Sequence, residues 1–164
     1  MVTRVVLVAT LALTASVAAD VARRDTIAPE TAALYLLLLT GLFVLRVGGQ
    51  VYVARRAPRW LPPMDEWNLM PYRLLLPIQL AFVAVMTTIA VGVGREKEPF
   101  AGPHPSFGAF LIGLAAAYAG SMVVRYAVRM RRRPEQRWFG GAIPIAFHLV
   151  LAGYLFTWGS FLRG

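Results

Sequence analysis

The sequence predicts an all-α integral membrane protein, a bundle of five transmembrane helices, or four if the first segment is removed as a signal. Three observations predict it. Of 164 residues, 58% are hydrophobic and only 15% charged, where a soluble domain carries about 25% charged residues. The apolar residues gather into five runs, at about 5–22, 31–54, 72–94, 107–130 and 139–162. None of these runs alternates with a period of two, as barrel strands do. Helices are then the remaining way to satisfy the backbone in lipid. The length accommodates one domain, residues 1–164.

The first run has two readings. Residues 1–4 form a short basic region, VVLVATLALTA is an apolar core, and Val17-Ala18-Ala19 before Asp20 fits a signal-peptidase site. The run is also just long enough to span, and a retained helix is the expectation. Each of the other four runs reaches the roughly 20 residues that cross about 30 Å of hydrocarbon. The connections between them are short. The longest, ARRAPRWLPPMDEWNLMP, carries prolines and the pair Trp60 and Trp67. That composition suggests an ordered segment lying along the interface, where Trp is favoured. No internal repeat or matched pair of broken helices supports an inverted-repeat transporter.

Charge sets the expected orientation. Lys plus Arg total 17 against 8 acids, a formal +9. The cations lie between apolar runs, which is how topology is encoded, so nucleic acid is not the expected partner. Arg55, Arg56, Arg59 and Arg73 follow the second run, and Arg129, Arg131, Arg132, Arg133 and Arg137 follow the fourth. The opposite connections hold Arg23, Arg24, Arg95 and Lys97, diluted by Asp20, Asp25, Glu30, Glu96 and Glu98. The positive-inside rule places connections 55–73 and 129–137 in the cytoplasm of a bacterial inner membrane and the C-terminus outside. Removing the first run leaves that orientation unchanged. The absence of Cys excludes disulfides, thiolate metal sites, iron–sulfur clusters and thiol nucleophiles.

Ala109, Gly113, Ala117 and Ser121 recur every four residues on the fourth run, beside Ala116 and Gly120. Small residues let helix backbones approach closely in lipid. The expectation is packing inside the bundle; an interface with another chain is the alternative. Ala12, Ser16 and Ala19 form a looser set on the first run.

Polar residues within hydrocarbon are costly and tend to be paired or functional. Arg46, Gln79, Arg125 and His148 come from four different runs. At about 1.5 Å per residue all four fall roughly 8–14 Å below the cytoplasmic surface. Tyr126 and Tyr72 border the same layer. Guanidinium groups with a His and an amide suit an anion: a lipid phosphate, an isoprenoid phosphate or the propionate edge of a cofactor. Two plainer readings stand beside this one. Asp65 and Glu66 could fold inward onto the arginines, and the arginines could snorkel to the headgroups.

His148 invites a haem reading, but the chain has only two His, and His104 falls in the opposite connection. Bis-His haem pairs are excluded, and no cofactor or metal is expected. No HExxH or other zinc pattern occurs, and the spans hold no carboxylate beyond the boundary residue Glu30. Catalysis is therefore not expected.

Leu69-Met70-Pro71-Tyr72-Arg73-Leu74-Leu75-Leu76-Pro77-Ile78-Gln79, and Arg125-Tyr126 through Pro134-Glu135-Gln136-Arg137-Trp138-Phe139-Gly140-Gly141-Ala142-Ile143-Pro144-Ile145-Ala146-Phe147-His148, resemble a group of small bacterial inner-membrane proteins with no assigned activity. The resemblance runs from about Trp60 to the C-terminus and includes Gln79, Arg125 and His148. It implies a multi-pass membrane protein and no particular reaction. The expected function is that of an accessory or structural subunit packing against other membrane proteins, with the polar layer on lipid or a cofactor edge. Two alternatives are a small lipid- or isoprenoid-handling protein and a single-haem or quinone-contacting electron-transfer subunit.

Overall fold

The computed structural model describes residues 2–58, 61, 71–132 and 142–164. Five helices form: α1 (Val2–Ala22), α2 (Pro29–Arg56), α3 (Tyr72–Gly94), α4 (Pro105–Arg132) and α5 (Ala142–Arg163), with no strand among the described residues. All five are long and apolar enough to cross a membrane. The protein is a multi-pass membrane helical bundle. The connection carrying Trp60, Asp65, Glu66 and Trp67 lies outside the described residues, as does 133–141 with Arg133 and Arg137.

The helices pack through seams visible as alternating steps of three and four residues, the spacing that keeps one stripe facing a neighbour. On α1 the buried series is Leu7, Thr10, Thr14, Val17 and Val21. On α2 it is Ala32, Leu36, Leu39, Phe43, Arg46, Gln50 and Val53. On α3, Gln79, Met86, Ala90 and Val93 face inward. Buried threonines in these seams return their hydroxyls to the helix: Thr14 donates to the Thr10 carbonyl, Thr40 to Leu36 and Thr157 to Gly153, each at 2.7–2.8 Å. No orphan hydroxyl is left by them.

Helix α5 is the hub. It is buried on several faces and packs against α4, α2 and α1, while α3 lies against α2. Tyr154 reaches from α5 to α3, its hydroxyl donating to the Met86 carbonyl at 2.6 Å. Between α4 and α5 the backbones nearly touch. A Cβ on Gly108 would stand 2.6 Å from the Gly159 carbonyl oxygen, and one on Gly159 2.8 Å from that of Gly108. Only glycine permits this crossing.

The helix ends follow elementary rules. Pro29 opens α2 with Glu30 in its first turn, and Arg55 and Arg56 close it, matching the helix dipole at both ends. Ala57 then turns left-handed at φ 39°, donating its N–H to the Val53 carbonyl. At the far end of the bundle Asp20 of α1 accepts from Arg24 Nε at 2.7 Å and from the Tyr35 hydroxyl of α2 at 2.6 Å. With its seam buried and this end tied, α1 is an integral wall of the bundle.

Candidate functional site

The α2 seam carries polar residues where apolar ones would ordinarily sit. Arg46 is 6% exposed, Gln50 0%, and Gln79 on α3 3%. The sequence reading identified Arg46 and Gln79 but not Gln50, one turn along the same seam. The Arg46 guanidinium lies 5.8 Å from the ring centroid of Phe147 on α5. Such cation–π stacking contributes about 2 kcal/mol when desolvated. Both polar atoms of the Gln79 side chain lack a hydrogen-bond partner among the described residues. An orphaned buried amide costs about 1–3 kcal/mol.

Two contacts set the level of this layer. Gly94 of α3 meets Ala33 of α2, and Tyr154 of α5 meets Met86 of α3. Stepping along each helix from these anchors brings Gln79 level with Gly48, between Arg46 and Gln50, and level with Phe147. Equal rise per residue makes the inference direct.

His148 follows Phe147 and turns to another face of α5, toward α4. Its Nδ1 is hydrogen-bonded to the Pro144 carbonyl oxygen. A carbonyl only accepts, so Nδ1 carries a proton, and in the neutral imidazole Nε2 is the acceptor. The imidazole centroid is 5.6 Å from that of Tyr118, at a tilt of 44°. A half-buried cluster of His148, Tyr118 and Arg125 results, with Arg46 behind Phe147. The polar groups available there are the Tyr118 hydroxyl, the His148 imidazole and, two turns along the same face of α4, the Arg125 guanidinium.

Tyr126 lies elsewhere. It lines a recess of about 170 Å³ with Leu7, Leu11, Met122 and Leu149, on the α1 side of α4. The aromatic residue beside His148 is Tyr118, two turns before Arg125 on the same face. His104 is at the other end of the bundle, 3.3 Å from Glu98. Among the described residues, no group of three His, Cys, Asp or Glu could hold a metal ion.

The stripe expected inside the bundle faces outward. Ala109, Gly113, Ala117 and Ser121 are all exposed, and nothing lies within 4 Å of a Cβ built on Gly113. Helix α4 meets α5 with the adjacent face instead, through Gly108, Leu111, Ala115 and Met122. Steps of four residues identify a shared face but not which neighbour it meets, and the Gly108–Gly159 approach decides the rotation of α4. Between α1 and α4, over α5, runs an apolar groove of about 680 Å³. Its α1 wall is Leu11, Thr14, Ala15, Ala18, Ala19 and Ala22; Ile112, Ala115, Ala116 and Ala119 form the α4 wall. Leu11 and Leu149 line both this groove and the recess at Tyr126, so the two form one trough.

Comparison with protein-family models, with curated proteins and with solved structures returns no match. The functional reading therefore rests on the geometry of this chain.

Proposed function

We propose that this chain is an accessory subunit of a larger bacterial inner-membrane complex, its arginine-rich connections cytoplasmic, and that it docks through the α1–α4 face. One observation carries the reading. A stripe of small residues, Ala109, Gly113, Ala117 and Ser121, runs along the outward surface of α4 beside the exposed Phe110, Leu114 and Val124, and mostly small residues line both walls of the groove, whereas α2 and α3 expose Leu34, Leu37, Leu38, Leu74, Ile78, Phe82 and Val85. Lipid-facing surface is ordinarily large and apolar, and small residues mark close helix approach. A stripe that no helix of this chain covers fits a helix of another chain. In this reading the His148–Tyr118–Arg125 cluster holds an anionic lipid headgroup or cofactor edge beside the junction.

Gly113→Leu with Ala117→Leu tests it cleanly, because Gly113 has open space around it and the bundle itself is undisturbed. Native electrophoresis of gently solubilised native membranes is expected to show the wild-type chain in a larger species and the double variant at monomer mass. Leu34→Phe on α2 should leave the larger species intact. A wild-type chain migrating alone would overturn the proposal.

The trough favours a second reading, a small lipid- or isoprenoid-handling protein. Its larger section falls within the roughly 300–1,000 Å³ of ordinary ligand sites, and it is almost wholly apolar. A co-purifying lipid displaced by Ala15→Phe, with no partner protein present, would favour that reading.

A further inference from the structure

A different site lies at the bundle end opposite the arginine-rich connections. The chain leaves α3 and folds straight back on it. Lys97 donates its backbone N–H to the Gly92 carbonyl at 2.9 Å, and the Phe100 ring lies on Gly92, where any Cβ would collide with it. Beside Phe100 this leaves a notch of about 540 Å³ on the outward surface of α3. Its floor is apolar or small, with Ala84, Thr88 and Val91 in line along the helix, and Arg95 and Lys97 complete it at the rim.

Glu98, one residue beyond Lys97, is engaged with other partners. The Glu98 carboxylate pairs with His104 at 3.3 Å and lies against Gly102, where a Cβ would run into it. Neither Glu96 nor Glu98 lines the notch. The Thr87 and Thr88 hydroxyls donate their protons to the carbonyls of Val83 and Ala84. A narrow apolar strip in the hydrocarbon that ends under two cations at headgroup level has the shape and charge of one molecule: a phospholipid lying along α3 with its phosphate at the rim.

We propose that this notch is a binding site for an anionic glycerophospholipid, the acyl chain on Ala84, Thr88 and Val91 and the phosphate between Arg95 and Lys97. The site is independent of the α1–α4 face and of the His148 cluster. Its test uses the full-length chain in vesicles containing photoactivatable phosphatidylglycerol or, separately, a phosphatidylcholine probe with the same chains. Crosslinks are mapped by peptide mass spectrometry.

Residues 84–100 are expected to be labelled by the phosphatidylglycerol probe and several-fold less by phosphatidylcholine. Arg95→Gln with Lys97→Gln should cut the labelling by roughly 25-fold, about five-fold for each cation near the surface. Ala84→Phe, which fills the floor and keeps both charges, should cut it as well. Labelling beside Arg131 serves as the internal control and should be unchanged in every variant, and size-exclusion chromatography of each variant shows that it folds. Added inorganic phosphate should not compete, because the chain-binding floor is part of the site. Equal labelling by the two probes, labelling that survives the double substitution, labelling that survives Ala84→Phe, or competition by free phosphate would each overturn the proposal.

Discussion

Gln79→Leu should stabilise this protein. The side chain is 3% exposed and both polar atoms of its amide lack a partner among the described residues. Its place in the α3 seam is one that Met86, Ala90 and Val93 fill with apolar atoms further along. Burying an amide without a partner costs about 1–3 kcal/mol, and an apolar group of similar shape removes that cost. For a chain of this size 1 kcal/mol moves Tm by about 2–4 °C, so a gain of roughly 2–12 °C is expected. Thermal unfolding in detergent, followed by tryptophan fluorescence, measures it. Gln50→Leu provides the contrast. Gln50 is equally buried but has an interaction to lose, so its replacement should lower Tm. A fall in Tm for Gln79→Leu would refute the reasoning and mean that the amide grips something: a water, a lipid or a ligand at the level of Arg46 and Gln50. Repeating the pair in native lipid separates those cases, since a lipid partner would make Gln79→Leu destabilising there and stabilising in detergent.

The remaining expectations are briefer. Gly159→Ala puts a Cβ 2.8 Å from the Gly108 carbonyl oxygen and 2.9 Å from Leu111 Cβ, and forcing α4 from α5 should cost about 1–3 kcal/mol; Gly113→Ala, in open space, should cost almost nothing by the same Tm measurement. A chain that begins at Asp20, as signal-peptidase cleavage would leave it, loses Leu7, Thr10, Thr14 and Val17 from the α5 surface, and it should fail to give folded protein by size-exclusion chromatography. Because the chain has no Cys, single cysteines report topology without background. Arg131→Cys should react with an impermeant maleimide only after permeabilisation, and Ser106→Cys in intact cells.

Much of the fold is legible as hydrophobicity alone. The α3 boundaries coincide with the apolar run at 72–94, while α2 and α4 extend past theirs. Apolar content stops where lipid stops, but backbone hydrogen bonding continues into the polar caps, Pro29 and Pro105 at one end and Arg56 and Arg132 at the other. Gln50 was equally legible: the steps from Phe43 to Arg46 to Gln50 to Val53 continue one seam. Tyr118 follows from Arg125 by two turns. The rotation of α4 was not legible. It depends on Gly108 meeting Gly159, two residues far apart in sequence, and no local period in α4 distinguishes that face from the Ala109–Ser121 stripe. Pairwise packing of this kind is a property of two helices, whereas periodicity is a property of one.

The distribution of charge gives these sites a common logic. Twelve of the 17 cations and three of the eight acids belong to the end of the bundle that holds the α2–α3 and α4–α5 connections. The other end has five of each, so the whole formal +9 resides at one end. Among the described residues that end has no carboxylate at all, since Asp65, Glu66 and Glu135 fall outside them. Arg46 and Arg125 are thus buried or half-buried beneath a field that is already positive. A cation in that position is stabilised by an anion brought close, and those three acids or a phosphate at the headgroup level are the available sources. The neutral end works differently. There the sign at any point depends on local pairing, and the engagement of Glu98 with His104 leaves Arg95 and Lys97 dominant at one notch. Anionic lipid would thus be attracted to one end by net charge and to the other by geometry. Salt separates the two, because screening acts over about 8 Å at physiological ionic strength and weakens the diffuse field before it weakens a close phosphate contact. Raising the salt in the crosslinking experiment should deplete labels near Arg131 while those on 84–100 persist. The opposite order would mean that the notch is no more than a patch of exposed charge.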